Sequence, residues 1–81
     1  MNVSVHFTGF QRTLTKAQSI KVPLLDNMRV VDVLNYIKDR FPQLPLQENE
    51  VFVVVNNDVC LKDRLLESND RISILPHIGG G

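Results

Sequence analysis

Neither sign of charge prevails in this chain. Nine Lys and Arg are matched by nine Asp and Glu, interspersed along the sequence, so no basic footprint points to nucleic acid. No apolar run approaches the length needed to span a bilayer. The opening residues, Met1-Asn2-Val3-Ser4, lack the basic and apolar regions of a secretory signal, and no membrane partner is expected. Cysteine is reduced to one residue, Cys60, which excludes an internal disulfide and fits a reducing, cytoplasmic setting. The two histidines, His6 and His77, have no Cys or carboxylate at ligand spacing, so no metal site is expected. Internal repeats, linkers and low-complexity segments are missing as well. What is present is 81 residues, 43% hydrophobic and 22% charged. That describes one small globular domain, near the lower size at which a core holds without staples.

Two periodicities organise this domain. Val3-Ser4-Val5-His6-Phe7 alternates, which predicts a strand with Val3, Val5 and Phe7 on its buried face. Residues 10–18 carry little apolar pattern beyond Leu14 and Ala17 and read as a hairpin connection. Ser19-Ile20-Lys21-Val22-Pro23-Leu24 predicts a second strand, with Ile20, Val22 and Leu24 inward and Pro23 marking an edge. Val30, Val33, Leu34, Ile37 and Phe41 then form one stripe at the helical period. Asp32 near its start and Lys38 and Arg40 near its end suit the helix dipole. The N-cap is weak, because Asn27 or Asp26 is the nearest good capping residue and lies a little early, and Pro42 stops the helix.

Val51-Phe52-Val53-Val54-Val55 is continuously apolar and β-branched, as in a central strand covered at least partly on both faces. Asn56-Asn57-Asp58 is a turn, and Val59-Cys60-Leu61 returns as a short strand in which Cys60 is expected to act as a small hydrophobe. Residues 62–68 form a loop whose Leu65 and Leu66 plug the core. Asn69-Asp70 turns again, Asp70-Arg71 contributing turn chemistry and a surface charge. Arg71-Ile72-Ser73-Ile74-Leu75 is the last strand, Ile72 and Ile74 inward, Ser73 and Leu75 outward, with Pro76 ending the ladder. Strand, strand, helix, strand, short strand, strand is an α+β order. It resembles the β-grasp, or ubiquitin-like fold: a mixed sheet of four to five strands with one main helix on one face.

The chain closes on Ile78-Gly79-Gly80-Gly81. A terminal glycine run buries no side chain and loses the most backbone freedom on ordering, so it adds nothing to a core. It is thin enough to thread a narrow channel, and its terminal carbonyl carbon is sterically open. We therefore divide the chain into a β-grasp domain, residues 1–76, and a flexible glycine tail, residues 77–81.

Val55-Asn56-Asn57, residues 65–72, Leu75-Pro76 and the terminal glycines together resemble the MoaD/ThiS family of sulfur carriers. Those proteins typically read V-N, then P-L-x-D-G-D-E-V, then P-P-V-x-G-G at the C-terminus. Phe7 to Arg12 also resembles the ending of the family's first strand. Ser68-Asn69-Asp70 replaces D-G-D, where Asn69 can supply the left-handed backbone of a glycine. His77 replaces the second proline.

The resemblance implies chemistry at Gly81 in which a ubiquitin-activating-type enzyme uses Mg-ATP to adenylate the terminus and sulfur then converts it to a thiocarboxylate. The chain itself would bind no cofactor and carry no catalytic side chains. Gly79 and Gly80 would form the reach of the tail, and Leu75, Pro76, Ile78, Val59 and Leu61 a docking face. The implied partners are that adenylating enzyme and a sulfur acceptor, foremost the large subunit of molybdopterin synthase in molybdenum cofactor biosynthesis. Two alternatives stay open: a carrier for thiamine, cysteine or tRNA thiolation or a protein modifier, and an interaction module whose tail is inert.

Overall fold

The N-terminal alternation builds the strand it predicts. In the computed structural model, which describes residues 1–46 and 51–76, β1 (Asn2–His6) buries Val3 and Val5 and turns Ser4 and His6 to the other face. It pairs antiparallel with β2 (Ser19–Pro23), Asn2 opposite Pro23 and His6 opposite Ser19. Helix α2 (Val30–Arg40) follows a short helix, α1 (Phe10–Thr15), and precedes β3 (Val51–Val55), β4 (Asp58–Cys60) and β5 (Arg71–Pro76). The strand order is β2-β1-β5-β3-β4. β5 lies at the centre, parallel to β1 and antiparallel to β3. Pro23 sits on the edge strand β2, where a missing N–H need not break a ladder. The architecture is the five-stranded mixed sheet and packed helix of an α+β, ubiquitin-like fold.

One face of the sheet meets α2. Val3 and Val5, Val22, Val51, Val53 and Val55, Ile72 and Ile74 turn toward the helix, which answers with Val30, Val33, Leu34 and Ile37, all buried. Phe7 and Phe41 meet edge to face, ring centroids 5.8 Å apart at 80°, tying the end of β1 to the end of the helix. The stripe thus does what its period demands, and Pro42 follows a helix that ends at Arg40 with Phe41 as its C-cap. No helix among the described residues is long and apolar enough to cross a membrane.

The start of α2 has no side-chain cap on its first turn, in keeping with the weak cap expected. Neither Asp26 nor Asn27 caps it; Asn27, at φ 59°, turns the chain beforehand. Arg29 is the N-cap, and its N–H donates to Asp32 Oδ2 at 2.8 Å, half of a capping box. The next free donors reach across to the loop at 62–64: Val30 N–H to the Arg64 carbonyl at 3.0 Å and Val31 N–H to the Lys62 carbonyl at 2.9 Å. A distant loop therefore satisfies the helix terminus that the local sequence leaves open.

Other expectations are corrected. Residues 10–18 are not a plain connection but contain α1, entered at Gly9 with φ 46° and closed at Lys16 with φ 58°. Six residues with only Gln11 buried leave no stripe to read. The Gln11 amide oxygen accepts the Thr8 N–H at 3.2 Å. Leu66 enters the core but Leu65 is 49% exposed, because its backbone bridges Arg29 and turns the side chain out. β4 begins at Asp58 rather than Val59 and ends before Leu61. Pro76 stays in the ladder opposite Val51, since a residue without an N–H still has a carbonyl to offer. On β3 the expectation holds: Val51, Val53 and Val55 are buried and Phe52 and Val54 are partly covered on the other face.

Candidate functional site

The face of the sheet away from α2 carries the candidate site. Along β5 the inward residues Ile72 and Ile74 are buried, whereas Arg71, Ser73 and Leu75 turn outward. Leu75 stands opposite Phe52 on β3, Ser73 opposite Val54, and Val54 in turn opposite Val59 on β4. Cross-strand partners on one face lie within side-chain contact range. Phe52, Val54, Val59 and Leu75 thus form one apolar patch over three strands. Val59 is 69% exposed, and Leu61, just beyond β4, is 76% exposed. Phe52, Val59, Cys60, Leu61 and Lys62 line a shallow depression at this edge.

The structure brings together Leu75, Val59 and the adjoining Leu61 from the expected docking residues. Pro76 follows Leu75 on the same strand. Ile78, Gly79, Gly80 and Gly81 lie outside the described residues, as does His77. Phe52 and Val54 were missed: a continuous apolar run does not reveal which parity faces the core, and only the register with β5 decides it. Cys60 packs against the core, its thiol donating to the Val53 carbonyl at 3.7 Å, which is the behaviour of a small hydrophobe.

A polar cluster anchors the other end of β5. Asp70, expected at the surface, is buried. Its Oδ1 accepts from Asn56 Nδ2 and its Oδ2 from the Glu67 N–H, both at 2.8 Å. Asn56 Oδ1 accepts the Arg71 N–H at 2.9 Å, and the Asn56 N–H donates to the Arg71 carbonyl at 2.9 Å. The Ser4 N–H reaches the Asp70 carbonyl at 2.9 Å. Asn69 adopts φ 70°, the left-handed backbone anticipated for it. Asn56 and Asn57 do the same at φ 50° and 74°, the signature of a tight hairpin turn into β4. The central strand is thus held at its start by β1 and β3 together. Nearby, His6 Nε2 lies 3.2 Å from Ser4 Oγ. Burial, and then the Arg71 guanidinium, lower its pKa from the ordinary 6.5. Among the described residues no group of His, Cys, Asp or Glu gathers in a way that could hold a metal ion.

Comparison with known proteins fits this geometry. The ThiS family model matches residues 5–81. A search of curated protein sequences found no match. Among solved structures, a putative molybdopterin converting factor subunit 1 from Pyrococcus furiosus is similar at TM-score 0.84 and 23% identity, over 94% of this chain and 97% of that one. SAMP1 from Haloferax volcanii is similar at TM-score 0.83 and 13% identity, over 100% of both chains. A complex of subunits 1 and 2 of molybdopterin-converting factor from Helicobacter pylori 26695 contains a chain similar at TM-score 0.67 and 22% identity, over 100% of both chains. At these identities the structures speak for the fold, while the family model spans nearly the whole sequence. The chain belongs to the ThiS family, the ubiquitin-like MoaD/ThiS sulfur carriers.

Proposed function

We propose that this chain carries sulfur as a thiocarboxylate on Gly81, as the small subunit of a molybdopterin synthase. The observation that supports this reading most is the position of β5. It is the central strand, anchored at Asn56 and Asp70, with Leu75 in an apolar patch beside the point where the chain runs into the glycine tail. A rigid sheet gives a partner something to grip, and side-chain-free glycines give its active site an unhindered carboxylate.

The chemistry asks little of the carrier. A terminal carboxylate, with an ordinary pKa of roughly 3.3–3.7, is ionised at neutral pH and is a poor electrophile because oxide is a poor leaving group. In the adenylating partner it attacks the α-phosphorus of Mg-ATP, releasing pyrophosphate and forming the acyl-adenylate. A persulfide sulfur then attacks the carbonyl carbon and AMP leaves. A second thiol of the sulfur-supplying system cleaves the resulting acyl disulfide, providing the two electrons and releasing the thiocarboxylate. Nucleotide, metal and catalytic side chains belong to the partner; this chain presents Leu75, Val59, Leu61, Pro76 and Ile78 for docking and Gly79, Gly80 and Gly81 for reach.

The molybdopterin assignment draws on the likeness to subunit 1 of molybdopterin converting factors. The likeness to SAMP1 favours a second reading, a protein modifier joined through the same activated terminus. The test is to capture partners with the thiocarboxylated protein from its own cells. Recovery of a molybdopterin synthase large subunit supports the first reading. Recovery of a thiazole or cysteine synthase moves the carrier to another pathway, and an isopeptide bond from Gly81 to lysine identifies a modifier.

A further inference from the structure

The outward face of the sheet has two halves of different chemistry. Beside the apolar patch on β5, β3 and β4 lies a polar half on β2, β1 and the start of β5. Ser4 is opposite Lys21 on one side and opposite Arg71 on the other, so two exposed cations flank it on neighbouring strands. With strands about 4.8 Å apart, their Cα atoms are about 10 Å from one another. His6 lies two residues along β1 on the same face, its ring held by the Ser4 hydroxyl.

Among the described residues, no outward strand position compensates the charge. Among the described residues, the remaining outward strand positions are serine, asparagine, proline or apolar. Asp70, the carboxylate next in sequence to Arg71, is committed to Asn56 and the Glu67 N–H. Neither Lys21 nor Arg71 has an ion-pair partner among the described residues. In a chain whose formal charges cancel, one sheet face therefore carries a positive strip directly against an apolar patch.

We propose that Lys21 and Arg71 are the second half of the docking face, and that its occupant is a partner protein whose apolar contact surface is flanked by carboxylates. This rests on the docking reading above and deepens it. Apolar burial supplies attraction without direction, whereas complementary charge steers the encounter and sets register. Arg71 and Leu75 mark opposite ends of the outward row of β5, about 13 Å apart at the strand rise. A partner touching both is prevented from pivoting about Leu75. The direction in which the tail enters its active site is set by the same two contacts. Lys21 and Arg71 are thus orientation and specificity residues of the carrier.

The test uses the full-length chain and the purified ubiquitin-activating-type adenylating enzyme of the same organism. Affinity and association rate are measured across ionic strength for wild type, Lys21→Glu, Arg71→Glu, Arg71→Gln and Leu75→Arg. Unfolding midpoints serve as the check on folding. Each charge reversal should weaken binding about tenfold at low salt, mainly through slower association, with the difference shrinking as salt screens it. Arg71→Gln should lose less than Arg71→Glu. Wild-type affinity at low salt in both reversal variants overturns the proposal. Leu75→Arg reads the apolar patch separately: if it alone abolishes binding, the docking face stands and the basic strip falls. Undetectable binding of the wild-type chain overturns both.

Discussion

Asn56 and Asp70 are separated by 14 residues in sequence and joined by a 2.8 Å hydrogen bond from Nδ2 to Oδ1. This contact closes the end of β3 onto the start of β5, and Asn56 Oδ1 extends it to the Arg71 N–H. The strand that leads into the tail is anchored by side chains at one end and by the β1 and β3 ladders along its length. Asp70 is buried whereas Asn56 is exposed, so removing Asn56 costs a buried carboxylate one donor, and removing Asp70 costs two hydrogen bonds to a charged group. Asp70→Ala should destabilise the domain by about 1–3 kcal/mol in denaturant unfolding. A double-mutant cycle with Asn56→Ala should show coupling. Additive effects would place the stability elsewhere in the loop.

The helix stripe makes a second prediction. Leu34 is 3% exposed, so Leu34→Ala should cost about 2–5 kcal/mol. A loss below about 1 kcal/mol would show that the core collapses around the missing side chain far more readily than such sites do.

His6 gives a pH dependence with a definite sign. Burial and Arg71 lower its pKa below 6.5, so the unfolded chain takes up the proton first as pH falls. Between the two pKa values the unfolded state binds more protons, and stability rises with pH. The advantage of the neutral ring is complete above about 6.5 and is lost as pH drops through the lower, folded value. Lys21 and Arg71 flank Ser4 on the strands either side of it, and the Ser4 hydroxyl is hydrogen-bonded to the ring. The melting temperature of wild type should fall more than that of His6→Gln between about pH 7.5 and pH 5. Parallel profiles for the two proteins would contradict this.

Leu75 offers a test of docking without a test of folding. It faces away from Ile72 and Ile74 and opposite Phe52, so Leu75→Arg leaves the core untouched. A charge placed in a dry interface without a partner is costly, and binding to both the adenylating enzyme and the sulfur acceptor should weaken by at least about tenfold. Under the proposed docking, one small face serves both partners and the two complexes should be mutually exclusive. A ternary complex by analytical ultracentrifugation would contradict shared use.

Elements with a strong period were legible in the sequence: the α2 stripe from Val30 to Ile37, the alternation of β1, and Ile72 and Ile74 against Leu75. The edge position of β2 could be read from Pro23, and the left-handed backbone at Asn69 from its standing where the resembling family carries a glycine. What could not be read depended on distant partners. α1 is too short and too polar to show a stripe. Asp70 resembles a surface turn residue until Asn56 and the Glu67 N–H arrive from the fold. Phe52 and Val54 were hidden in an apolar run whose outward parity is set by pairing with β5. The cap of α2 comes from Lys62 and Arg64 carbonyls, which no local rule at Asn27 could reveal. The basic strip emerges only when the register brings Lys21 and Arg71 to either side of Ser4.

The central claim is that Gly81 is the reacting group, and ATP–pyrophosphate exchange by the adenylating partner tests it most directly. The intact chain should support exchange and, once sulfur is supplied, gain the mass of one oxygen replaced by sulfur. Deleting Gly81, or adding one residue after it, should abolish both while leaving the unfolding midpoint unchanged. A shortened or extended chain that still forms the adenylate and the thiocarboxylate would contradict the account.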